Sequence, residues 1–211
     1  MNIVCVLSVE QTKFTKVKYT EEWVDKLYNS VKRNYSGDYN FFCLSNIDTK
    51  YNTIKLESNS KGFWNKIEIF KHFKEPTLYI DLDVVILNNF TKLVKKFQNY
   101  NFLMTKEPFE NISNSSIMFW KNDYSFLYDE YIANKDNVLL EYKNVPRYGD
   151  QAYIAERVEH KFIEDIKDSA VSWKHHIVKT AINKKSNFLI FTSHQSKPNN
   201  TDLDIVKRNW V

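Results

Sequence analysis

Apolar runs alternate with amphipathic stretches along this chain, and the alternation predicts most of its elements. Residues 3–9 form a nearly unbroken apolar run, as expected for a strand covered on both faces. Thr20 then stands where a helix cap is expected, with Glu21 and Glu22 in the first turn. Val24, Leu27, Tyr28 and Val31 follow at the spacing of one helical face. Residues 40–44 and 53–56 predict a second and a short third strand. Residues 64–73 predict a helix that ends ahead of Pro76. Residues 77–80 predict a strand that delivers Asp81, Leu82 and Asp83, with 84–87 continuing extended. Phe90, Leu93, Val94 and Phe97 mark a short helix.

In the second half, residues 102–105 and 116–120 predict strands of a mixed sheet, 150–159 a helix and 188–192 a last strong strand. Strands that alternate with helices argue an α/β layered fold with a mostly parallel sheet. With 211 residues, no internal repeat and no low-complexity linker, the chain reads as one domain.

Composition narrows the chemistry. Only three glycines occur, Gly37, Gly62 and Gly149, and they lie far apart. A Walker phosphate loop, a dinucleotide fingerprint and a serine-hydrolase elbow each need glycines close together, so all three are excluded. A nucleotide bound here must have its phosphates met without a glycine cradle. The net charge is +4, but the excess is scattered lysine with no basic cluster, so no nucleic-acid partner is expected. Cys5 and Cys43 sit in apolar runs and read as reduced core thiols. No run approaches a membrane span, and Met1 to Val9 lacks the features of a signal peptide, so the expected location is cytoplasmic.

Four segments carry candidate chemistry. Asp81 and Asp83 follow an apolar strand, and ligands of open α/β sheets bind at the carboxyl ends of strands. Two acids placed there repel unless a cation joins them, and oxygen donors suit Mg²⁺ or Mn²⁺. Asp202 and Asp204 share the same spacing, but a polar stretch precedes them, which predicts a solvated helix start. His194, just past the last strand, offers an imidazole nitrogen to a metal, and Lys197 offers a point charge to a phosphate. Asp150, beside Gln151, is either a helix N-cap or a carboxylate aimed at a substrate hydroxyl. Lys66 shares a predicted helix with Phe63 and Trp64 and is placed to reach the site.

Taken in order, these segments resemble the small nucleotide-sugar glycosyltransferases of the GT-A fold, including compact viral and bacterial ones. The resemblance runs through residues 64–70 and the acidic motif within 78–85. It continues through Asn114, Ser115, Ser116, Ile117 and Met118, where Ser116 replaces the glycine of the family's pattern, and through Gly149, Asp150 and Gln151. Ser172, Trp173 and Lys174 are similar to a Ser-Tyr-Lys segment, and residues 194–198 to a terminal His-x-x-x-Lys-Pro, one residue shorter here.

The resemblance implies metal-dependent transfer of a hexose or deoxyhexose from a UDP-sugar to a hydroxyl of a glycan or other acceptor. It implies a nucleotide-binding half over 1–98 and an acceptor-side half over 99–211, in a chain that would stand alone or as one domain of a longer polypeptide. Asp81 would contact the ribose or the metal; Asp83 and His194 would ligate Mn²⁺ or Mg²⁺. Lys197 would meet the pyrophosphate, while Leu7, Ser8 and Tyr19 would hold the base. In an inverting enzyme Asp150 would be the base that takes the acceptor hydroxyl proton, in a retaining one Asp150 or Gln151 would lie beside the reacting carbon, and Asn114, Ser115 and Lys174 would lie on the acceptor or sugar side.

Two rivals remain from the sequence. Residues 81–85 also fit the opening motif of haloacid-dehalogenase-like phosphatases, although that motif normally follows a domain's first strand and the later acid it expects falls on Ile154. A non-catalytic nucleotide-sugar-binding domain would use the same carboxylates without turnover.

Overall fold

In the computed structural model, residues 1–9, 18–107, 112–144, 148–169, 171–174, 182–192 and 196–211 are described. They form a seven-stranded sheet in the order β3-β2-β1-β4-β7-β6-β8. Its strands are β1 (Asn2–Leu7), β2 (Asn40–Ser45), β3 (Asn52–Lys55), β4 (Thr77–Ile80), β6 (Phe102–Lys106), β7 (Ser113–Trp120) and β8 (Lys161–Phe162). A second sheet of three strands sets β5 (Val85–Ile86), β10 (Phe188–Phe191) and β9 (Val171–Lys174) side by side. The expected mixed, mostly parallel sheet is present. Only β7 runs against its neighbours, antiparallel to both β4 and β6.

Side-chain alternation sends each strand into two cores, one per face of the large sheet. Ile3, Cys5 and Leu7 of β1, with Leu78 and Ile80 of β4, pack on one face against α1 (Glu21–Asn34). Val4 and Tyr79 turn to the other face, which is rich in aromatics: Trp64, Phe70, Trp120, Tyr131 and Tyr153. The α1 helix buries Trp23, Val24, Leu27, Ser30 and Val31, and its acidic first turn and basic last turn match the helix dipole. Thr20 occupies the N-cap position with extended backbone, but its side chain makes no capping hydrogen bond. Cys5 and Cys43 are buried, unpaired thiols at matching positions of adjacent parallel strands.

Several elements differ from expectation. The segment expected as a helix over 64–73 begins earlier, as a 3-10 helix over Gly62–Glu68, and turns α-helical only over α2 (Ile69–His72). The stretch after Asp83 is extended as expected, but it enters the second sheet: β5 pairs antiparallel with β10, so the last strong strand belongs to that sheet. After α3 (Thr91–Phe97), two helices are new, α4 (Phe126–Ala133) and α5 (Lys135–Glu141). Helix α6 (Gly149–Arg157) has Tyr148 at its N-cap position, so Asp150 is not the cap but lies inside the first turn. The closing α7 (Asp204–Asn209) begins beside a fully exposed Asp202, as expected for solvated acids. Among the described residues no helix is long and apolar enough to cross a membrane.

Candidate functional site

The strand order reverses direction at β1, which has β2 on one side and β4 on the other. Crevices form at such points beyond the carboxyl ends of the strands. A cavity of about 420 Å³ opens there. Val6 and Ser8 line it from the end of β1, and Asp81, Leu82 and Asp83 from the end of β4. β7, whose antiparallel course points its start toward the same end, contributes Asn114, Ser115 and Ser116. Asp150 and Gln151 enter from the first turn of α6, and Lys66 from the 3-10 helix.

The acidic turn is pinned from both sides. The Asp81 amide donates to Ser116 O at 2.8 Å, and the Val84 amide donates to Asp81 O at 3.1 Å. Three side chains then meet on a single ammonium. Lys66 Nζ lies 3.1 Å from Asp81 Oδ1 and 3.3 Å from Asp150 Oδ2, and donates to Ser115 Oγ at 2.9 Å. The Ser115 hydroxyl donates onward to Asp150 Oδ2 at 2.6 Å. Tyr79, two residues before Asp81 and therefore on the same sheet face, donates its phenol to Asp81 Oδ1 at 2.5 Å. Asp83 forms a separate node, in which its Oδ2 accepts from the Tyr19 phenol at 3.0 Å and from the Lys197 ammonium. Lys66 is 6% exposed, Asp150 5%, Asp83 7% and Lys197 7%, so most of this charge is compensated within the protein rather than by water.

These contacts set the protonation preferences. Burial pushes the Asp81 carboxyl up, Lys66 opposes it and the neighbouring Asp83 and Asp150 charges reinforce it, leaving it above the ordinary carboxylate range. Burial acts on Asp83 in the same sense, but the Lys197 charge and the hydrogen bonds from Lys197 and Tyr19 win and hold it below. Burial works against the Lys66 charge, yet Asp150 and Asp81 hold the ammonium above the usual lysine range. Burial and the Asp83 charge push the Tyr19 phenol well up, so it acts as a donor.

Two carboxylates on one turn are donors of the kind a hard divalent cation takes. Among the described residues no three His, Cys, Asp or Glu side chains converge as a metal set. A cation on Asp81 and Asp83 would therefore complete its shell from a ligand, from water or from a residue outside those described. His194, expected as a metal ligand, lies outside the described residues.

The structure brings together Ser8, Tyr19, Lys66, Asp81, Asp83, Asn114, Ser115, Asp150, Gln151 and Lys197 around one cavity. It places two expected residues elsewhere. Leu7 is fully buried in the core beneath α1, because strand alternation turns it away from the side that Val6 presents. Lys174 ends β9, where its carbonyl accepts from Thr192, and its side chain is not part of the lining. Phe63, Tyr148, Glu107 and Thr192 line the cavity without having stood out in the sequence. Phe63 and Tyr148 flank motif residues and form a ring pair 5.7 Å apart, so adjacency was their available signal. Glu107 offers none, since one acid after a strand is ordinary.

No family model matches the chain, and no curated protein matches it. Solved structures do. The galactosyltransferase LgtC in complex with donor and acceptor sugar analogues matches at TM-score 0.67 and 11% identity, over 99% of this chain and 93% of that one. The bifunctional glycosyltransferase WbbM matches at TM-score 0.62 and 11% identity, over 95% of this chain and 47% of that one. A glycosyltransferase involved in glycosylation of the major capsid of PBCV-1 matches at TM-score 0.50 and 14% identity, over 88% and 91%. The architecture is that of GT-A-type glycosyltransferases.

Proposed function

We propose that this protein is a glycosyltransferase that moves a hexose or deoxyhexose from a UDP-sugar to a hydroxyl of a glycan or other acceptor, with Mn²⁺ or Mg²⁺ as cofactor. One observation carries the reading: three aspartates and two lysines, all but Asp81 nearly fully buried, meet in one cavity at the strand-order reversal of a glycosyltransferase fold. A site that only bound a neutral sugar would not need this density of compensated charge.

In the transfer, the bond between the anomeric carbon and the diphosphate oxygen breaks, and its electron pair leaves with UDP. The acceptor oxygen forms the new bond and gives up its proton to a base in the cavity, for which Asp150 is the candidate. The main electrostatic demand is therefore the charge that grows on the departing diphosphate. A divalent cation on Asp81 and Asp83 would supply Lewis-acid stabilisation of that charge. Lys197, buried beside Asp83, adds a positive charge on the same side. Ser8, just past β1, and Tyr19, which donates to Asp83, line the part of the cavity proposed for the nucleoside. Lys66 holds Asp81 and Asp150 on one ammonium, so the two acids keep a set separation. Asp150 and Gln151 line the same cavity with Asn114 and Ser115, and the sugar carbon and the acceptor hydroxyl would meet beside them.

The test is direct. The protein is incubated with Mn²⁺ and a panel of UDP-sugars while UDP release is followed, alongside phosphate release from simple monoesters. UDP release that collapses in Asp83→Ala supports the transferase. Phosphate release that collapses in Asp81→Asn would replace it with the phosphatase reading, and tight UDP binding without turnover of any sugar and acceptor would leave a binding domain.

A further inference from the structure

We infer that Lys197 is an exchangeable counter-ion, held by Asp83 in the free protein and passed to the diphosphate on binding, so that cation and nucleotide each bind tightly only in the presence of the other. The inference rests on the proposed UDP-sugar and metal chemistry and adds to it how the two ligands are coupled.

The geometry behind it is the second node of the site. Lys197 and Asp83 are both buried and ion-paired, and the oxygen that takes the ammonium also accepts the Tyr19 phenol. Asp81 differs: its ammonium partner, Lys66, is shared with Asp150 and Ser115 and tied into the floor of the cavity. Lys66 thus has other partners to hold it in place. Among the described residues Asp83 is the one acid with which Lys197 is ion-paired.

A cation arriving alone on Asp83 meets that ammonium at contact range, and like charges this close in a poorly solvated site repel strongly. Moving Lys197 off without a new partner leaves a buried ammonium uncompensated, which is as unfavourable as leaving the carboxylate bare. A diphosphate arriving alone meets the opposite obstacle: Lys197 is already neutralised by Asp83, and the carboxylate repels the phosphates. When both arrive, the cation takes Asp83, the phosphates take Lys197, and no charge is stranded. Each ligand then raises the affinity of the other by the same factor, as linkage requires.

The experiment measures Mn²⁺ binding to the intact protein by the loss of the free-ion EPR signal, with and without UDP, and UDP binding by calorimetry, with and without Mn²⁺. In the wild type, UDP is expected to tighten Mn²⁺ binding by about 10-fold or more, with the reciprocal factor for UDP. In Lys197→Met the ammonium is gone: Mn²⁺ alone should bind more tightly than to the wild type, UDP alone more weakly, and the coupling should fall toward one. Lys197→Gln, polar and uncharged, should behave likewise and serves as a second reading should the Met variant not fold. Independent binding of Mn²⁺ and UDP to the wild type overturns the inference. So does a Lys197 variant whose Mn²⁺ affinity without nucleotide is unchanged or lower. Both of those outcomes leave the transferase reading standing, whereas a wild type that binds neither ligand overturns the two together.

Discussion

The Ser115 hydroxyl donates to the Asp150 carboxylate at 2.6 Å and ties strand β7 to the first turn of helix α6. Ser115 also accepts from Lys66, so one small side chain links a cation to an anion inside the protein. Ser115→Ala removes a hydrogen bond to a charged group and should cost about 1.5–3 kcal/mol. Urea denaturation checks this. Turnover of UDP-sugar should fall along with stability, because Asp150 loses one of its two anchors.

Removing the ammonium of Lys66 should cost more. Lys66→Met leaves Asp81 and Asp150 facing each other without compensation, a loss of about 3–5 kcal/mol. Adding Asp150→Asn to that variant should recover part of the loss, since one of the stranded charges disappears. A double-mutant cycle in denaturation free energies reads the coupling directly. Additive effects would mean that the two side chains do not interact.

Gly149 has φ +67°, and a Cβ built there would lie 2.7 Å from Phe63 Cε2. Gly149→Ala should therefore cost roughly 1–2 kcal/mol for the left-handed backbone, with displacement of the Phe63 ring in addition. Since Gly149 opens α6 one residue before Asp150, UDP release should drop too. A second change, Phe63→Leu, relieves only the ring contact, so it should restore part of the stability and no more, as thermal melting will show.

Glu164 gives the stability a pH dependence of known sign. Its Oε2 accepts from the Lys106 amide at 2.9 Å, while its Oε1 is buried without a hydrogen-bond partner among the described residues. Burial raises this carboxyl from its usual range to about 7. The folded protein thus holds a proton there that the unfolded chain has released, and stability falls as pH rises from about 4.5 to about 7. Asp83, held below its usual range, contributes stability that is present at neutral pH and is lost only as acid protonates it. Urea midpoints between pH 5 and 8 should fall with pH in the wild type, and that slope should flatten in Glu164→Gln.

The nucleotide side of the fold was legible because its signals are local. β1, β2 and β4 are short apolar runs, and an acid pair after such a run needs no tertiary knowledge to stand out. Helices α4 and α5 left no comparable trace. α4 buries only Leu127 and Tyr131 while Phe126 and Ile132 stay exposed, so its apolar residues do not form one stripe. The depth of Lys66 was hidden for a related reason. A lysine in a sequence reads as solvated, and the partners that draw it in, Asp81, Ser115 and Asp150, come from three distant segments. Leu7 shows the opposite limit: proximity to the site along the chain said nothing of which way its side chain faces.

Asp81 ends a strand of the large sheet, and two residues later the chain is entering the small one, with Val85 already paired to Leu189. The acid pair is thus a joint between two sheets that share one core, into which the turn itself buries Leu82 and Val84. Its spacing is held by that shared packing and by the turn's own Val84–Asp81 hydrogen bond, and its backbone stays out of the left-handed region that would call for glycine. It also makes the pair a strain gauge: a substitution in the packing between the sheets, at Leu82 or Val84, would alter the carboxylate separation without touching either acid.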